Sequence, residues 1–125
     1  MILHLTPRAE WERAPADQPY RPASLEQEGF VHATCGEELM LAVANRFYHQ
    51  QPGSFVALEI DETRLTSPLR WEPPAPLISS DEGETLPNAL FPHIYGPINR
   101  EAIVGVQLML RDPVDGRFIG YKRLT

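Results

Sequence analysis

Phe91-Pro92-His93-Ile94-Tyr95-Gly96-Pro97 is the stretch on which the reading of the chain turns. It sets a histidine and a tyrosine two residues apart, between prolines and ahead of a glycine. Successive strand side chains point to opposite faces, so Phe91, His93 and Tyr95 share one surface while Ile94 faces the other way. An imidazole beside a phenol on one strand face can meet a planar ring, a phosphate or a ribose hydroxyl. The plainer reading is a strand rim whose histidine satisfies a core hydrogen bond. Two further stretches repeat the theme: Ile2-Leu3-His4-Leu5, and Gly29-Phe30-Val31-His32-Ala33-Thr34. Each centres a histidine in a short apolar run of strand character.

Working outward, Met1–Leu5 reads as a first strand. Thr6-Pro7 reads as an N-cap and first helical residue, with a helix to Arg13 that turns Trp11 inward. Ala14–Pro22 is a loop, and Ala23–Glu28 a short helical turn stopped at Gly29. Phe30–Ala33 is a second strand. Thr34-Cys35-Gly36-Glu37 fits a capping box opening a helix to about Gln50. The helix carries an apolar stripe of Leu39, Met40, Val43, Ala44 and Phe47. Ser54–Ile60, Leu69–Glu72 and Ala75–Ile78 read as strands, and Ser79–Leu90 as a polar, acidic, flexible loop. Ala102–Leu110 is the most strand-like run, followed by a turn over Asp112–Gly116 and a last strand over Arg117–Tyr121. The sum is an α+β fold: a split, curved sheet of mixed or antiparallel strands with two or three helices.

The 125 residues suit one domain, residues 1–125, with an ordinary core. No apolar run is long enough for a membrane span, and no basic segment precedes a long apolar one at the N-terminus. A single cysteine excludes an internal disulfide and thiolate-rich zinc sites, and a cytoplasmic home is the simplest expectation. A net charge of −6 argues against a grip on long nucleic acid and for a small ligand. Ten arginines stand against Lys122 alone, a bias that suits phosphate or carboxylate binding or reflects coding preference. There is no glycine-rich strand-to-helix phosphate loop, which excludes the dinucleotide fingerprint and the P-loop.

His4, His32 and His93 are the candidates for chemistry. Three readings stand: a ligand cleft whose imidazoles bind phosphate or ribose oxygens, a three-histidine metal site of a hydrolase, or three unrelated structural histidines. No short spacing such as H-x-H or H-E-x-x-H supports the metal. His49 sits at a helix end, where the helix dipole favours it. Cys35, in the first turn of a helix, has the placement of an activated thiol or of a small buried residue. Glu28, Glu72 and Glu101 are the carboxylates near these blocks.

The ordered set Ile2-Leu3-His4, Trp11, Tyr20-Arg21-Pro22, Ser24-Leu25, Glu28 to His32, Ala44-Asn45, Phe47-Tyr48, Arg70-Trp71-Glu72 and Phe91 to Pro97 resembles the small bacterial family called domain of unknown function 952. The resemblance runs from about Ile2 to Phe118. It implies a fold similar to the catalytic domain of ADP-ribosyltransferases, with a nucleotide cleft between the halves of a split sheet. It implies His4, His32 and His93 as catalytic residues and Thr34, Tyr95, Arg70 and Glu72 as cofactor contacts. The cofactor implied is NAD, with no metal, and the partner a small nucleotide. The glutamate of the NAD-using transferases is missing from Phe91–Pro97, unless Glu72 or Glu101 replaces it. The histidine-rich set is closer to the RNA 2'-phosphotransferases, although the acidic charge suits RNA poorly. The expected activity is therefore ADP-ribosyl or phosphoryl transfer, or binding of a nucleotide or ADP-ribose without catalysis.

Overall fold

The computed structural model describes residues 1–73 and 90–125. The strand expected over Ala75–Ile78 and nearly all of the loop expected over Ser79–Leu90 lie outside them. In chain order the elements are β1 (Ile2–Pro7), α1 (Arg8–Arg13), α2 (Ala23–Glu28), β2 (Val31–His32), β3 (Thr34–Cys35), α3 (Glu37–Phe47), β4 (Phe55–Ile60), β5 (Leu69–Glu72), β6 (Phe91–Ile94), β7 (Ile103–Arg111) and β8 (Phe118–Arg123). They form a five-stranded sheet, β3-β1-β4-β7-β8, and a three-stranded sheet, β2-β6-β5, with antiparallel neighbours throughout. No helix among the described residues is long and apolar enough to cross a membrane.

The five-stranded sheet is apolar on both faces because α3 covers one and the smaller sheet the other. Along β4, Val56, Leu58 and Ile60 enter a core with Val31 and Ile94 of the small sheet, together with Ile2 and Tyr20. The alternate residues Phe55 and Ala57 pack with Leu3, Leu5, Met40, Ala44, Met109 and Phe118 in a second core under α3. Met40 and Ala44 of the α3 stripe are thereby buried and Val43 packs partly against them, while Leu39 and Phe47 stay partly exposed. Trp11 packs edge-on against Tyr20, ring centroids 5.1 Å apart, as its inward turn requires. Arg111 ties the far end together. Its guanidinium donates to the carbonyls of His49, Gln51, Gly53 and Gly116 and lies 4.3 Å from the Phe118 ring centroid.

Three local expectations fail. Thr6 does not cap α1: β1 runs on through Pro7 to pair with Phe55, and the buried Thr6 hydroxyl is bonded to Tyr20 Oη at 2.6 Å. Thr34 does not cap α3, because it pairs with Leu3 in β3, and Gly36 takes the cap position at φ 95°. That left-handed conformation favours glycine, as does Gly29 at φ 84°, which ends α2. Cys35 is therefore an exposed edge-strand residue rather than part of a helical first turn. α3 also stops at Phe47, so His49 lies beyond it and Nε2 donates to the Asp115 carbonyl at 2.8 Å.

The feature that positions everything else is the passage from β2 to β3. Thr34 and Cys35 pair with β1, whereas Val31 and His32 pair with Ile94 and His93 of β6. Ala33 alone separates the two, its N–H donating to the Pro92 carbonyl. The β1–β3 pairing ends at Leu3, so among the described residues the edge of β1 from His4 onward has no strand beside it. A fork opens there.

Candidate functional site

A cleft of about 490 Å³ occupies the fork. Its walls come from His4 and Thr6 of β1, His32 to Thr34 of the diverging chain, and Phe91 and His93 of β6. Ser24 and Glu28 of α2 and Met40, Val43 and Phe47 of α3 complete it. His4, His32, His93 and Thr34 thus meet around one hollow, although they come from four strands in two sheets. Pairing across β2 and β6 sets His32 directly beside His93, ring centroids 5.5 Å apart and edge to face.

The hydrogen bonds fix how each imidazole is presented. His4 Nδ1 lies 2.6 Å from the His32 carbonyl oxygen, which can only accept. Nδ1 therefore carries the proton and Nε2 holds a lone pair. His4 is only 5 % exposed, and Nε2 finds no partner among the described residues. Burial pushes its pKa down to about 4, so the ring is neutral near pH 7. His32 Nε2 lies 2.6 Å from Glu28 Oε2, and His93 Nδ1 2.9 Å from Glu72 Oε1. Each of these imidazoles is thus oriented by a carboxylate, the arrangement that fixes a tautomer for proton transfer.

Tyr95, Arg70 and Glu72 do not line the cleft; they stand behind His93. Tyr95 Oη donates to the same Glu72 oxygen as His93, at 2.5 Å. Those two bonds, the phenol's first, hold the Glu72 carboxyl below the usual carboxylate range, and the same bond raises the Tyr95 phenol. The Arg70 guanidinium lies 5.0 Å from the Tyr95 ring centroid. As expected from the strand pattern, His93 and Tyr95 share a face. Phe30, singled out by no sequence argument, covers both, with centroids 4.3 Å and 5.4 Å away. Its sequence signal is its place two residues before His32 on a strand-like run.

Glu28, one of three carboxylates the sequence left unranked, is the one in the cleft wall. It stands four positions before His32, but Gly29 intervenes, so helical spacing alone could not announce the pair. Glu10 also reaches the lining, its carboxylate accepting the Ala23 N–H. Tyr48 lies in the α3 wall, and burial, then the Glu28 charge, raise its phenol. Glu101 stays outside, near Asn99. Among the described residues no three His, Cys, Asp or Glu side chains converge in a geometry that could hold a metal ion.

Fold and site together define an α+β protein of antiparallel sheets with a histidine-walled cleft at a strand fork. The chain belongs to the family described as protein of unknown function DUF952, whose profile matches residues 5–106. The crystal structure of protein CC0527 from Caulobacter crescentus is similar, with a TM-score of 0.72 at 25 % identity over 94 % of this chain and 92 % of that one. The structure of a double methionine variant of CC0527 gives 0.71 at 24 %, with the same coverage. No curated protein matches the sequence.

Proposed function

We propose that the cleft binds the ribosyl end of NAD or a related nucleotide and supports ADP-ribosyl transfer on an ADP-ribosyltransferase-like fold. The observation that carries this reading is the neutral His4 of the cleft wall, its Nε2 buried without a partner among the described residues, beside two carboxylate-held imidazoles that line the same hollow. A buried acceptor without a donor costs about 1–3 kcal/mol, and a ribose hydroxyl would remove that cost. The division into five and three strands with a cleft between them also supports it. Phosphoryl transfer is less well served, since no Lys or Arg among the described residues lines the cleft.

In this reading the bond from ribose to nicotinamide breaks, and positive charge grows on the ribose. Glu28, held on His32, offsets that charge. His93 takes the proton of the incoming nucleophile on Nε2, with Nδ1–H anchored to Glu72 and Tyr95 buttressing the same carboxylate. The work is positioning and charge stabilisation. Calorimetry with NAD and ADP-ribose should show binding, and nicotinamide release should vanish in His93→Gln while binding persists. Absence of binding by both compounds overturns the proposal.

One observation favours a binding module instead. Glu72, the carboxylate nearest His93, is turned away from the cleft and occupied by two donors. Binding of ADP-ribose with no nicotinamide release from NAD identifies that case.

A further inference from the structure

The wall of the cleft specifies which part of a nucleotide enters it. We propose that the cleft selects the hydroxyl-bearing, phosphate-free part of a nucleoside, uncharged or cationic, and keeps phosphate out. This rests on the nucleotide reading above and narrows it.

Two buried polar atoms of lining residues have no partner among the described residues, His4 Nε2 and Ser24 Oγ. His4 Nε2 can only accept, because Nδ1 holds the proton that goes to the His32 carbonyl. A phosphate dianion brings acceptors alone and leaves that lone pair unanswered. A ribose diol brings two hydroxyls, each able to donate and to accept. One is offered to His4 and the other to Ser24, each atom being reached by a small shift of the side chains that bury it.

Charge points the same way. Among the described residues the lining holds the carboxylates of Glu10 and Glu28 and no Lys or Arg. Of these lining groups, imidazoles alone could take on positive charge. His4 is held neutral by burial, while His32 and His93 already each give a ring N–H to a glutamate. An anion drawn into this hollow meets like charge at short range in a poorly screened site. A cationic base such as a pyridinium meets attraction.

The test compares ligands that differ by one group. Calorimetry at neutral pH is run with nicotinamide riboside, its 5'-monophosphate, adenosine, 2'-deoxyadenosine and inorganic phosphate. The riboside should bind several-fold more tightly than its monophosphate, with the gap narrowing as salt is added. Removing the 2'-hydroxyl should cost adenosine about tenfold, the worth of about 1.4 kcal/mol. His4→Leu should abolish that difference. Ser24→Ala, near the start of a surface helix, should reduce it, and keeps the test open where His4→Leu fails to fold. Binding of inorganic phosphate or of the monophosphate more tightly than the riboside overturns the inference, as does equal binding of adenosine and 2'-deoxyadenosine. Binding of NAD or ADP-ribose without any binding of the nucleosides overturns this inference and leaves the nucleotide reading standing. Silence from every compound removes both.

Discussion

The neutral state of His4 can be tested without a ligand, through the pH dependence of stability. Burial moves its pKa from 6.5 to about 4 in the folded protein. Between those values the unfolded chain binds a proton at His4 and the folded one does not. Stability therefore holds above the unfolded value and is lost as pH falls through this window, the loss being complete below about 4. The gap corresponds to about 3 kcal/mol in the limit, and about 2 kcal/mol of it is expressed between pH 7 and pH 4.5. Carboxylates titrate in the same range, so the measurement is a difference. Urea unfolding is followed at both pH values for the wild type and for His4→Leu. The substitution also leaves the His32 carbonyl without its donor, but that loss is the same at both pH values and cancels. The wild type should lose about 2 kcal/mol more than the variant on acidification. Parallel losses would mean that His4 is charged or solvated in the fold. The lone pair on which the ligand argument depends would then not exist.

Other perturbations probe the supports of the site. Tyr20→Phe removes the hydroxyl bonded to the buried Thr6 side chain and should cost about 1–2 kcal/mol in urea unfolding, with no change in slope. Glu72→Gln removes the carboxylate that raises the Tyr95 phenol, so the spectrophotometric titration of that tyrosine should move down toward its ordinary range. An unchanged titration would show that the bond between them is not formed. Arg111→Met keeps much of the stem but loses bonds to four carbonyls, and should lower stability by about 2–4 kcal/mol. A loss under about 1 kcal/mol would show that water replaces the guanidinium there.

Much of the fold was legible where local chemistry and long-range packing agree. β5 falls on Leu69–Glu72, where prolines close both ends of the run. α2 ends at Gly29 because only the left-handed conformation lets the chain turn back toward Phe30. The alternation of Val56, Leu58 and Ile60 reads directly as a buried face, and the stripe of α3 as one buried at Met40 and Ala44. Where the two levels compete, local signals lose. Thr34 has the pattern of a helix cap, yet pairing with Leu3 draws it into a strand and Gly36 does the turning. Thr6 has the same pattern and is drawn into β1 by Val56 and Tyr20. The three histidines were visible as residues, but their meeting depends on the separation of β2 from β3 at Ala33, which no local pattern encodes. Glu28 and Phe30 were hidden for the same reason. Their roles exist only once His32 stands beside His93.

At Ala33 the chain passes from one sheet to the other within a single residue, and the histidines on either side of this seam are linked by one bond from His4 to the His32 carbonyl. A guest lodged in the fork would press on both halves at once and act as a strut between them. Its arrival should slow amide exchange along β1 and β6 together, so that occupancy is registered as stiffness far from the atoms it touches.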